Sequence, residues 1–397
     1  MRLRRLLLTG AAGAAALLAI GTAATAAQTS GAAPSNVTAA SNGNASDSLR
    51  SLAADIGLRI GSAIIPQDIE TPSFAAIASS QFSVVTPGNA MKWEVVEPTE
   101  GTFDWSQADQ LVAFARANHQ LVRGHTLLWH SQLPTWLTDG VANGTISNAQ
   151  LTNLLHQHIT TEVSRYKGKI WQWDVANEFF ANSWDPNALP DGINADDFWV
   201  SHLGEGIVAD AFRWAHQADP HALLFYNDFN IAGQDGTNLK ADNVYAWVKS
   251  LQAQGVPING VGEQGHLDTQ FGFSGAKMQA DLARYASLGL KVAVTEADVR
   301  TFVETTDNLQ TPTDNLAQFA QPFEFDQEMK ACLAVSACIS FTIWDVDDAD
   351  SWVPGTFHGE GYATLYDTNL QPKPAYTVLQ QDLAGATGAP RRPGGGY

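Results

Sequence analysis

Cysteine and basic residues are both scarce in this sequence, and each scarcity excludes a class of protein. Only two cysteines, Cys332 and Cys338, occur among 397 residues, which is too few for a disulfide-rich scaffold or an all-cysteine zinc site. Lysine and arginine number 22 against 41 aspartates and glutamates, so the net charge is −19. Such a surface repels nucleic acid and anionic lipid. We therefore expect no nucleic-acid partner and no membrane partner, whereas a neutral sugar is compatible with this charge.

The strongest apolar run lies at the N-terminus, where the pattern is typical of a signal peptide. A basic start is followed by an Ala- and Leu-rich run that ends near Ile20, and small residues occupy positions 24–26. The run is short, and no basic stop follows it, unlike a membrane anchor. We predict that residues 1–27 are a signal peptide and that the protein is secreted to the extracellular space. In that oxidising environment Cys332 and Cys338 are predicted to form a local disulfide rather than a metal pair.

Two polar segments enclose a long stretch with a continuous apolar pattern. Residues 28–46 contain hardly any large apolar side chain, and residues 385–397 are rich in glycine and proline. Segments of this composition bury too little apolar surface to become ordered. We predict a flexible leader at 28–46, a single catalytic domain at 47–384 and a flexible tail at 385–397.

Short apolar runs alternate with helical patterns along this domain, as in a parallel sheet with crossover helices. Eight runs are predicted to be strands, at residues 58–63, 82–86, 121–126, 170–175, 222–226, 260–265, 291–295 and 339–344. Helices are predicted at 107–118, 149–166, 208–219, 239–254, 277–288 and 317–335. Eight such units predict the α/β class and a single (β/α)8 TIM barrel.

Polar and aromatic side chains follow nearly every predicted strand, at the ends where barrels of this kind carry their chemistry. They are Asn89, Lys92, His125, Trp129, His130, Asn177, Glu178, Asn227, Asp228, Gln264, His266, Glu296, Asp298, Trp344 and Trp352. Their positions predict one polar and aromatic site at one mouth of the barrel.

Two of these side chains, Glu178 and Glu296, are carboxyl groups at the ends of apolar strands. Phe179 and Phe180 follow Glu178, so its carboxyl is expected to be partly desolvated. A pair of carboxyl groups in one site is what hydrolysis of a glycosidic bond requires. The structural alternatives are a salt bridge or a helix cap for Glu178, and an ion pair with Arg300 for Glu296.

Tryptophan and histidine at the strand ends each allow two interpretations. Trp129, Trp344 and Trp352 have flat faces that stack on sugar rings, but they could equally pack under loops. The histidines could converge on a metal, yet the sequence has no His-Glu-x-x-His motif, so we predict no metal and no cofactor. His266 lies two residues after Gln264 and would face the same side, where it could orient the second carboxylate by hydrogen bonding.

Seven sequence blocks together resemble glycoside hydrolase family 10, the endo-β-1,4-xylanases, over essentially the whole domain. In the order and spacing of the family they read TPGNAMKWEVVEP, RGHTLLWHSQLPTW, WDVANE, YNDFNI, GVGEQGHL, VTEADVR and WDVDDADSWVPG. The resemblance implies a retaining mechanism with Glu178 as acid/base and Glu296 as nucleophile, and it implies that Asn177 binds the sugar 2-hydroxyl. It further implies that the glycone side of the cleft is lined by Asn89, Lys92, His125, Trp129, Gln132, Gln264, His266, Trp344 and Trp352. A disulfide like that of Cys332 and Cys338 also occurs in members of the family.

The sequence departs from the family pattern at two positions that bear on the substrate. Gly88 replaces a glutamate that usually binds the second sugar on the non-reducing side, and Asp345 replaces a glycine that usually follows the tryptophan. We predict a monomeric endo-1,4-β-xylanase with xylan as its substrate. Two alternatives stay open: a related retaining barrel glycosidase acting on β-glucan or a plant glycoconjugate, and a carbohydrate-binding protein without catalysis. The presence of both Glu178 and Glu296 argues against the second alternative.

Overall fold

The structure, a computed structural model, describes residues 47–182, 184–186, 188–233, 239–305, 308–312 and 317–387. The predicted signal peptide and leader, and the predicted tail from residue 388 onward, lie outside these residues. Among the helices of the described part, none has both the length and the apolar character needed to cross a bilayer.

Eight parallel strands form a closed barrel, which confirms the predicted fold class. They are β1 (Arg59–Ile64), β2 (Val84–Pro87), β3 (Leu121–Leu128), β4 (Gln172–Asn177), β5 (Leu223–Asp228), β6 (Gly260–Glu263), β7 (Lys291–Thr305) and β8 (Cys338–Ile343). Each strand pairs in parallel with the next, and β8 pairs with both β7 and β1. Each of the eight predicted runs overlaps one of these strands.

Helices surround the barrel, with shorter ones in the loops. They are α1 (Leu49–Asp55), α2 (Pro72–Gln81), α3 (Trp93–Val96), α4 (Ser106–Ala117), α5 (Thr135–Ala142), α6 (Asn148–Arg165), α7 (Phe198–Leu203), α8 (Gly206–Ala218), α9 (Leu239–Ala253), α10 (Gly275–Ser287), α11 (Ala317–Ala334), α12 (Val353–Thr356) and α13 (Pro374–Gly385). The six predicted helices correspond to α4, α6, α8, α9, α10 and α11. Because α13 includes Gly385, helical structure extends one residue into the segment predicted to be the tail.

The helix α6 illustrates why these segments fold as they do. Ser147 caps its N-terminus by accepting a hydrogen bond from the Gln150 backbone N–H, and the Gln150 side chain bonds back to the Ser147 backbone. This reciprocal capping box satisfies backbone donors that a helix start otherwise leaves free. Leu151, Leu155 and Ile159 recur every four residues and are buried, so one face of the helix packs against the barrel.

Alternation along β3 and β4 sends polar side chains into the barrel and apolar ones outward. Gly124 of β3 lies beside Trp173 of β4, and a β-carbon on this glycine would come within 2.1 Å of the Trp173 ring. The neighbours Arg123, His125 and Asp174 therefore share the opposite face, and all three are buried. The interior of the barrel beneath the carboxyl ends of the strands is thus charged rather than apolar.

A disulfide joins the end of α11 to the start of β8. Cys332 and Cys338 are six positions apart in sequence, and their α-carbons are 5.4 Å apart. The predicted disulfide is confirmed.

Candidate active site

The carboxyl ends of the strands open into a cleft of about 1090 Å³. All but one of the catalytic and sugar-binding residues implied by the family resemblance line it: Asn89, Lys92, His125, Trp129, Gln132, Glu178, Gln264, His266, Glu296, Trp344 and Trp352. Asn177 is buried and touches the lining residue Gln264, with 3.5 Å between Asn177 Oδ1 and Gln264 Nε2. The structure thus brings this set together, whereas His130, Asn227, Asp228 and Asp298 of the predicted strand-end residues do not line the cleft.

Glu296 lies on β7 and is held by donors from β3, from β5 and from the segment that follows β6. Its Oε1 accepts hydrogen bonds from Asn227 Nδ2 at 2.7 Å and from an Arg123 NH2 group at 3.3 Å. Its Oε2 lies 3.3 Å from His266 Nε2. The side chain of Glu296 is only 5 % exposed, so these groups fix its orientation.

Nearby positive charge keeps Glu296 ionised despite its burial. Burial alone would raise its pKa, but His125, His266 and Arg123 together lower that pKa to about 2. The alternative partner suggested by the sequence, Arg300, instead pairs with Asp268 at 3.1 Å and Glu360 at 2.7 Å.

His266 is a fixed cation between two carboxylates. Its Nδ1 lies 2.9 Å from Asp298 Oδ2, and its Nε2 faces Glu296. Burial opposes the charge of the ring, but Asp298 and Glu296 raise the pKa of His266 to about 10. Trp352 Nε1 donates to the same Asp298 oxygen at 2.7 Å, so the second Trp of the last block is tied to this pair.

Glu178 follows β4 directly and is half-buried. Its backbone has a φ of 61°, a left-handed conformation that is uncommon for a residue other than glycine. Trp129 Nε1 donates to Glu178 Oε2 at 2.8 Å, and Gln264 Nε2 donates to Oε1 at 2.8 Å. The carboxyl is therefore directed into the cleft by one aromatic and one amide donor.

Three amide side chains connect the two carboxyl groups. Gln264 bonds to Glu178 and approaches Asn177, whose Oδ1 accepts a hydrogen bond of 2.8 Å from Asn227 Nδ2. The same Asn227 nitrogen donates to Glu296. Glu178 and Glu296 thus lie on one continuous network at one end of the barrel. Asn177 Nδ2 is buried and has no hydrogen-bond partner within the described residues.

Lys92 is the centre of a second polar group on the β2 side of the cleft. Its Nζ donates to Asn89 Oδ1 at 2.9 Å and to Gln132 Oε1 at 2.6 Å, and it lies 4.8 Å from the centre of the Trp129 ring. Burial lowers the pKa of Lys92, although the charges of Glu296 and other carboxylates oppose this shift. These four side chains form a preorganised surface of donors and acceptors.

Arg123 and Asp174 were not predicted as site residues, although they control the charge of the site. Arg123 is 1 % exposed, and its guanidinium bonds to Asp174 Oδ2 at 2.6 Å as well as to Glu296. His125 Nδ1 lies 2.9 Å from the same Asp174 oxygen. Arginine in the RGH block was visible in the sequence, but its partner Glu296 is 173 positions away.

Within the described residues, His125, Asp174 and Glu296 form a group whose geometry could in principle hold a metal ion. Arg123 already donates to both carboxylates of this group, so a guanidinium supplies the positive charge. The donor set therefore fits an ion-pair network better than a metal centre, and the absence of a metal remains a prediction.

The two departures from the family pattern, Gly88 and Asp345, both line the cleft. A β-carbon at Gly88 would meet Ile65 Cγ2 at 3.4 Å, an ordinary contact, so the fold does not require glycine there. Asp345 has a φ of 72°, which explains why glycine suits this position and why aspartate is tolerated. Burial raises the pKa of Asp345 well above its ordinary value.

Two exposed aromatic side chains of the cleft were also missed by the sequence analysis. Trp184 and Phe271 line the cleft and are 74 % and 68 % exposed. They lie in the loops after β4 and β6, where no periodic pattern marks them. Large apolar side chains exposed at a cleft are typical of a binding surface.

The family model for glycosyl hydrolase family 10 matches residues 48–382. An endo-1,4-β-xylanase of Agaricus bisporus is 39 % identical over 312 residues, which are 78 % of this chain and 86 % of that protein. Endo-1,4-β-xylanase C of Phanerodontia chrysosporium is 37 % identical over 339 residues, which are 85 % of this chain and 79 % of that protein.

Solved structures agree with these sequence relatives. Native xylanase 10B of Thermotoga maritima superimposes with a TM-score of 0.76 at 34 % identity, covering 86 % of this chain and 99 % of its own. Xylanase 10B of Thermotoga petrophila RKU-1, solved in complex with xylobiose, gives 0.77 at 34 % identity and covers 86 % of this chain and 98 % of its own. The chain therefore belongs to glycosyl hydrolase family 10.

Proposed function

We propose that this protein is an endo-1,4-β-xylanase that hydrolyses internal β-1,4 linkages of xylan with retention of anomeric configuration. The observation that carries the proposal is the pair Glu178 and Glu296, which lie on one hydrogen-bonded network in one cleft but in different environments. Glu296 is ionised and surrounded by cationic donors, whereas Glu178 is half-buried and bonded to the neutral donors Trp129 and Gln264. Two carboxyl groups with separate roles are what a retaining glycosidase needs.

In the first step Glu296 attacks the anomeric carbon while Glu178 protonates the leaving glycosidic oxygen. The bond between the anomeric carbon and that oxygen breaks, and a glycosyl ester of Glu296 forms. The pKa of about 2 keeps the nucleophile ionised at neutral pH. His266 and Arg123 hold its carboxylate in a fixed orientation.

In the second step Glu178, now ionised, takes a proton from water as that water attacks the anomeric carbon. Glu296 leaves, and two inversions give net retention. Asn177 is proposed to bond to the sugar 2-hydroxyl, since its Nδ2 has no partner within the described residues. Such bonds strengthen in the transition state.

The remaining predicted residues are proposed to bind the sugars on the glycone side. Lys92, Asn89 and Gln132 offer donors and acceptors for hydroxyl groups, and Trp344 and Trp352 line the same cleft with aromatic rings. The names of the relatives support xylan as the substrate. Gly88 keeps one alternative open, a glycosidase acting on β-glucan or a plant glycoconjugate.

We also propose that the protein is secreted and acts as a monomer. The signal-like residues 1–27 support export, and the disulfide of Cys332 and Cys338 is compatible with an oxidising environment. Size-exclusion chromatography with light scattering tests the oligomeric state, and N-terminal sequencing of the protein from culture medium tests cleavage.

The activity is tested by incubating the protein with xylan, carboxymethylcellulose and aryl xylosides, and following reducing ends and product configuration by NMR. We expect internal cleavage of xylan with β-configured products at early times. Reducing ends from carboxymethylcellulose but not from xylan would contradict the proposed substrate, and α-configured first products would contradict retention.

Two variants test the assignment of roles. E296A should abolish turnover of every substrate, and azide should restore an α-configured glycosyl azide if Glu296 is the nucleophile. E178A should lose xylan hydrolysis while retaining cleavage of aryl substrates with good leaving groups, since these need little protonation. Equal losses on both substrates in E178A would contradict its role as acid.

A further inference from the structure

We infer that Tyr226, Asp228 and Lys240 form a clamp that positions Glu178 for proton transfer, so that all three are positioning residues of the reaction. The clamp lies at the end of β5, in the YNDFNI block, and touches neither the cleft nor the reacting atoms directly. The inference rests on the proposed role of Glu178 as acid/base.

The turn that carries Glu178 needs such support. Its φ of 61° lies in a region that side chains other than glycine populate sparsely, and the conformation persists only where the surroundings hold it. A shift of that turn would move the carboxyl away from the glycosidic oxygen. Efficient proton transfer requires the donor within hydrogen-bond reach of that oxygen.

Three consecutive backbone N–H groups of this turn are bonded to three consecutive residues of β5. The Glu178 N–H donates to the Asn227 carbonyl oxygen at 2.9 Å. The Phe179 N–H donates to Tyr226 Oη at 3.1 Å, and the next N–H along the chain, that of residue 180, donates to Asp228 Oδ2 at 3.3 Å. The first bond belongs to the strand ladder, but the other two depend on side chains.

Asp228 is in turn fixed from both of its oxygens. The Tyr226 hydroxyl donates to Oδ2, so one oxygen serves both the tyrosine and the turn. Lys240 Nζ donates to Oδ1 at 2.9 Å, and so does the Phe229 N–H at 2.9 Å. All of these partners are donors; burial raises the pKa of Asp228, and the charge of Lys240 and the hydrogen bond from Tyr226 oppose that shift. Asp228 and Lys240 are both almost fully buried, and a buried pair of this kind holds a single geometry.

Aromatic packing fixes the same turn from a second direction. The Phe180 ring lies edge-on to Tyr226, with centroids 6.1 Å apart, and edge-on to Trp247 at 5.4 Å. Removing the Tyr226 hydroxyl would keep this packing and delete only the hydrogen bonds. The variant Y226F therefore separates positioning from packing.

The control is Y166F. Tyr166 is also fully buried, and its hydroxyl also bonds to an aspartate, Asp109 Oδ1 at 3.0 Å, but it caps the C-terminal end of α6. Both variants lose one buried phenol hydroxyl from an aspartate partner. Only Y226F loses it from the turn of Glu178.

The experiment measures kcat/KM of wild type, Y226F, Y166F and E178A on a pair of aryl β-xylobiosides, one dinitrophenyl and one phenyl. This ratio reports the steps from free enzyme and substrate up to cleavage of the glycosidic bond, so the later use of Glu178 as base does not enter. General acid catalysis contributes a factor of ~100 or more. We expect Y226F to lose part of this factor, seen as about a tenfold drop in kcat/KM with the phenyl leaving group. With dinitrophenyl we expect a change below about twofold, since that group leaves without protonation.

The pH profile gives a second measurement. The pH profile of kcat/KM for the phenyl substrate should change in Y226F and stay in place in Y166F, because only Y226F alters the turn that carries Glu178. Equal losses on both aryl substrates, or a Y226F profile identical to that of Y166F, would overturn the clamp. Failure of wild type to cleave xylan would contradict the proposed substrate and leave this comparison intact. If E178A lost equal activity on the phenyl and dinitrophenyl substrates, the acid role of Glu178 itself would be contradicted.

Discussion

Glu296 owes its charge state to a small number of neighbours, and His266 is the neighbour most open to substitution. Burial would raise the pKa of Glu296, and His125, His266 and Arg123 outweigh it. A lowered pKa means that the carboxylate form is favoured, so the nucleophile stays ionised until the pH falls to about 2. Removing the charge of His266 leaves burial with less opposition.

We predict that H266Q moves the acid limb of the kcat/KM profile to higher pH by at least about one unit. The neutral amide keeps a hydrogen bond to Glu296 but loses the positive charge that lowers the pKa of Glu296. The measurement is a pH profile of kcat/KM with a dinitrophenyl substrate. The enzyme must be shown to regain its activity after exposure to each pH. H216Q, which changes an exposed histidine of α8, is the control and should leave the profile unchanged. An unmoved limb in H266Q would show that His266 does not set the charge of Glu296.

Gly88 leaves space in the cleft that a side chain can enter. A β-carbon there makes only an ordinary contact with Ile65, and the resemblance to the family implies that a glutamate at this position binds the second glycone sugar. We predict that G88E lowers KM for xylotriose up to about tenfold, as expected for one hydrogen bond to a charged group. G206E is the matched control, because Gly206 lies at the exposed start of α8, where an added β-carbon would contact no other part of the described structure within 4 Å. A higher KM in G88E would contradict this prediction. It would mean that Asp345 already serves this subsite or that the added charge weakens binding of the sugar.

At the scale of elements, the disulfide closes a short connection between α11 and β8. A six-residue separation removes only a little conformational freedom from the unfolded chain, about 2 kcal/mol in the chain-entropy account. We predict that C332A/C338A lowers the melting temperature by a few degrees, measured by calorimetry. Reductant should lower the melting temperature of wild type by a similar amount and leave the double variant unchanged. A wild type that does not respond to reductant would contradict the bridge.

The elements were predictable from the sequence to the extent that their periodicity is local. The eight strands and six helices follow from apolar patterns that lie within a few residues of one another. The strand β7 was predicted only as residues 291–295, yet it continues to Thr305. Its extension pairs with the short strands His266–Asp268, Glu360–Gly361 and Asn308–Pro312, and such pairing depends on loops distant in sequence.

The site was only partly predictable, because only some of its residues are marked by local sequence patterns. Strand ends marked Glu178 and Glu296, and the family blocks supplied the sugar-binding set. Arg123 escaped because its role depends on partners 51 and 173 positions away, and Asn227 was seen at a strand end without a function. A buried charge becomes informative only when its partners are known.

At the scale of the whole molecule, the interior holds carboxyl groups in opposed states. Glu296 and Asp174 have lowered pKa values, so their contribution to stability is present above about pH 4 and is lost as the pH falls. Other carboxyl groups have raised values, among them Asp68 at about 7 and Glu324 at about 7. A raised pKa means that the folded protein favours the protonated form. The stability from these groups is complete below about pH 4 and is lost as the pH rises through 7.

These opposed shifts predict a maximum of stability in weakly acidic solution, and Glu324 of α11 provides the test. This side chain is buried, its Oε2 has no hydrogen-bond partner within the described residues, and burial together with Asp268 raises its pKa. At pH 8 wild type must ionise it inside the protein, at a free-energy cost of up to about 3 kcal/mol. The variant E324Q has the same shape and no charge to ionise.

We therefore predict that E324Q raises the melting temperature at pH 8 and leaves it nearly unchanged at pH 5, where the wild-type carboxyl is already protonated. The measurement is calorimetric unfolding at both pH values. E70Q, which removes the same charge from an exposed position, controls for net charge and should change neither value appreciably. A gain that is equal at the two pH values would mean that the ionisation of Glu324 does not limit stability, since a packing effect does not depend on pH.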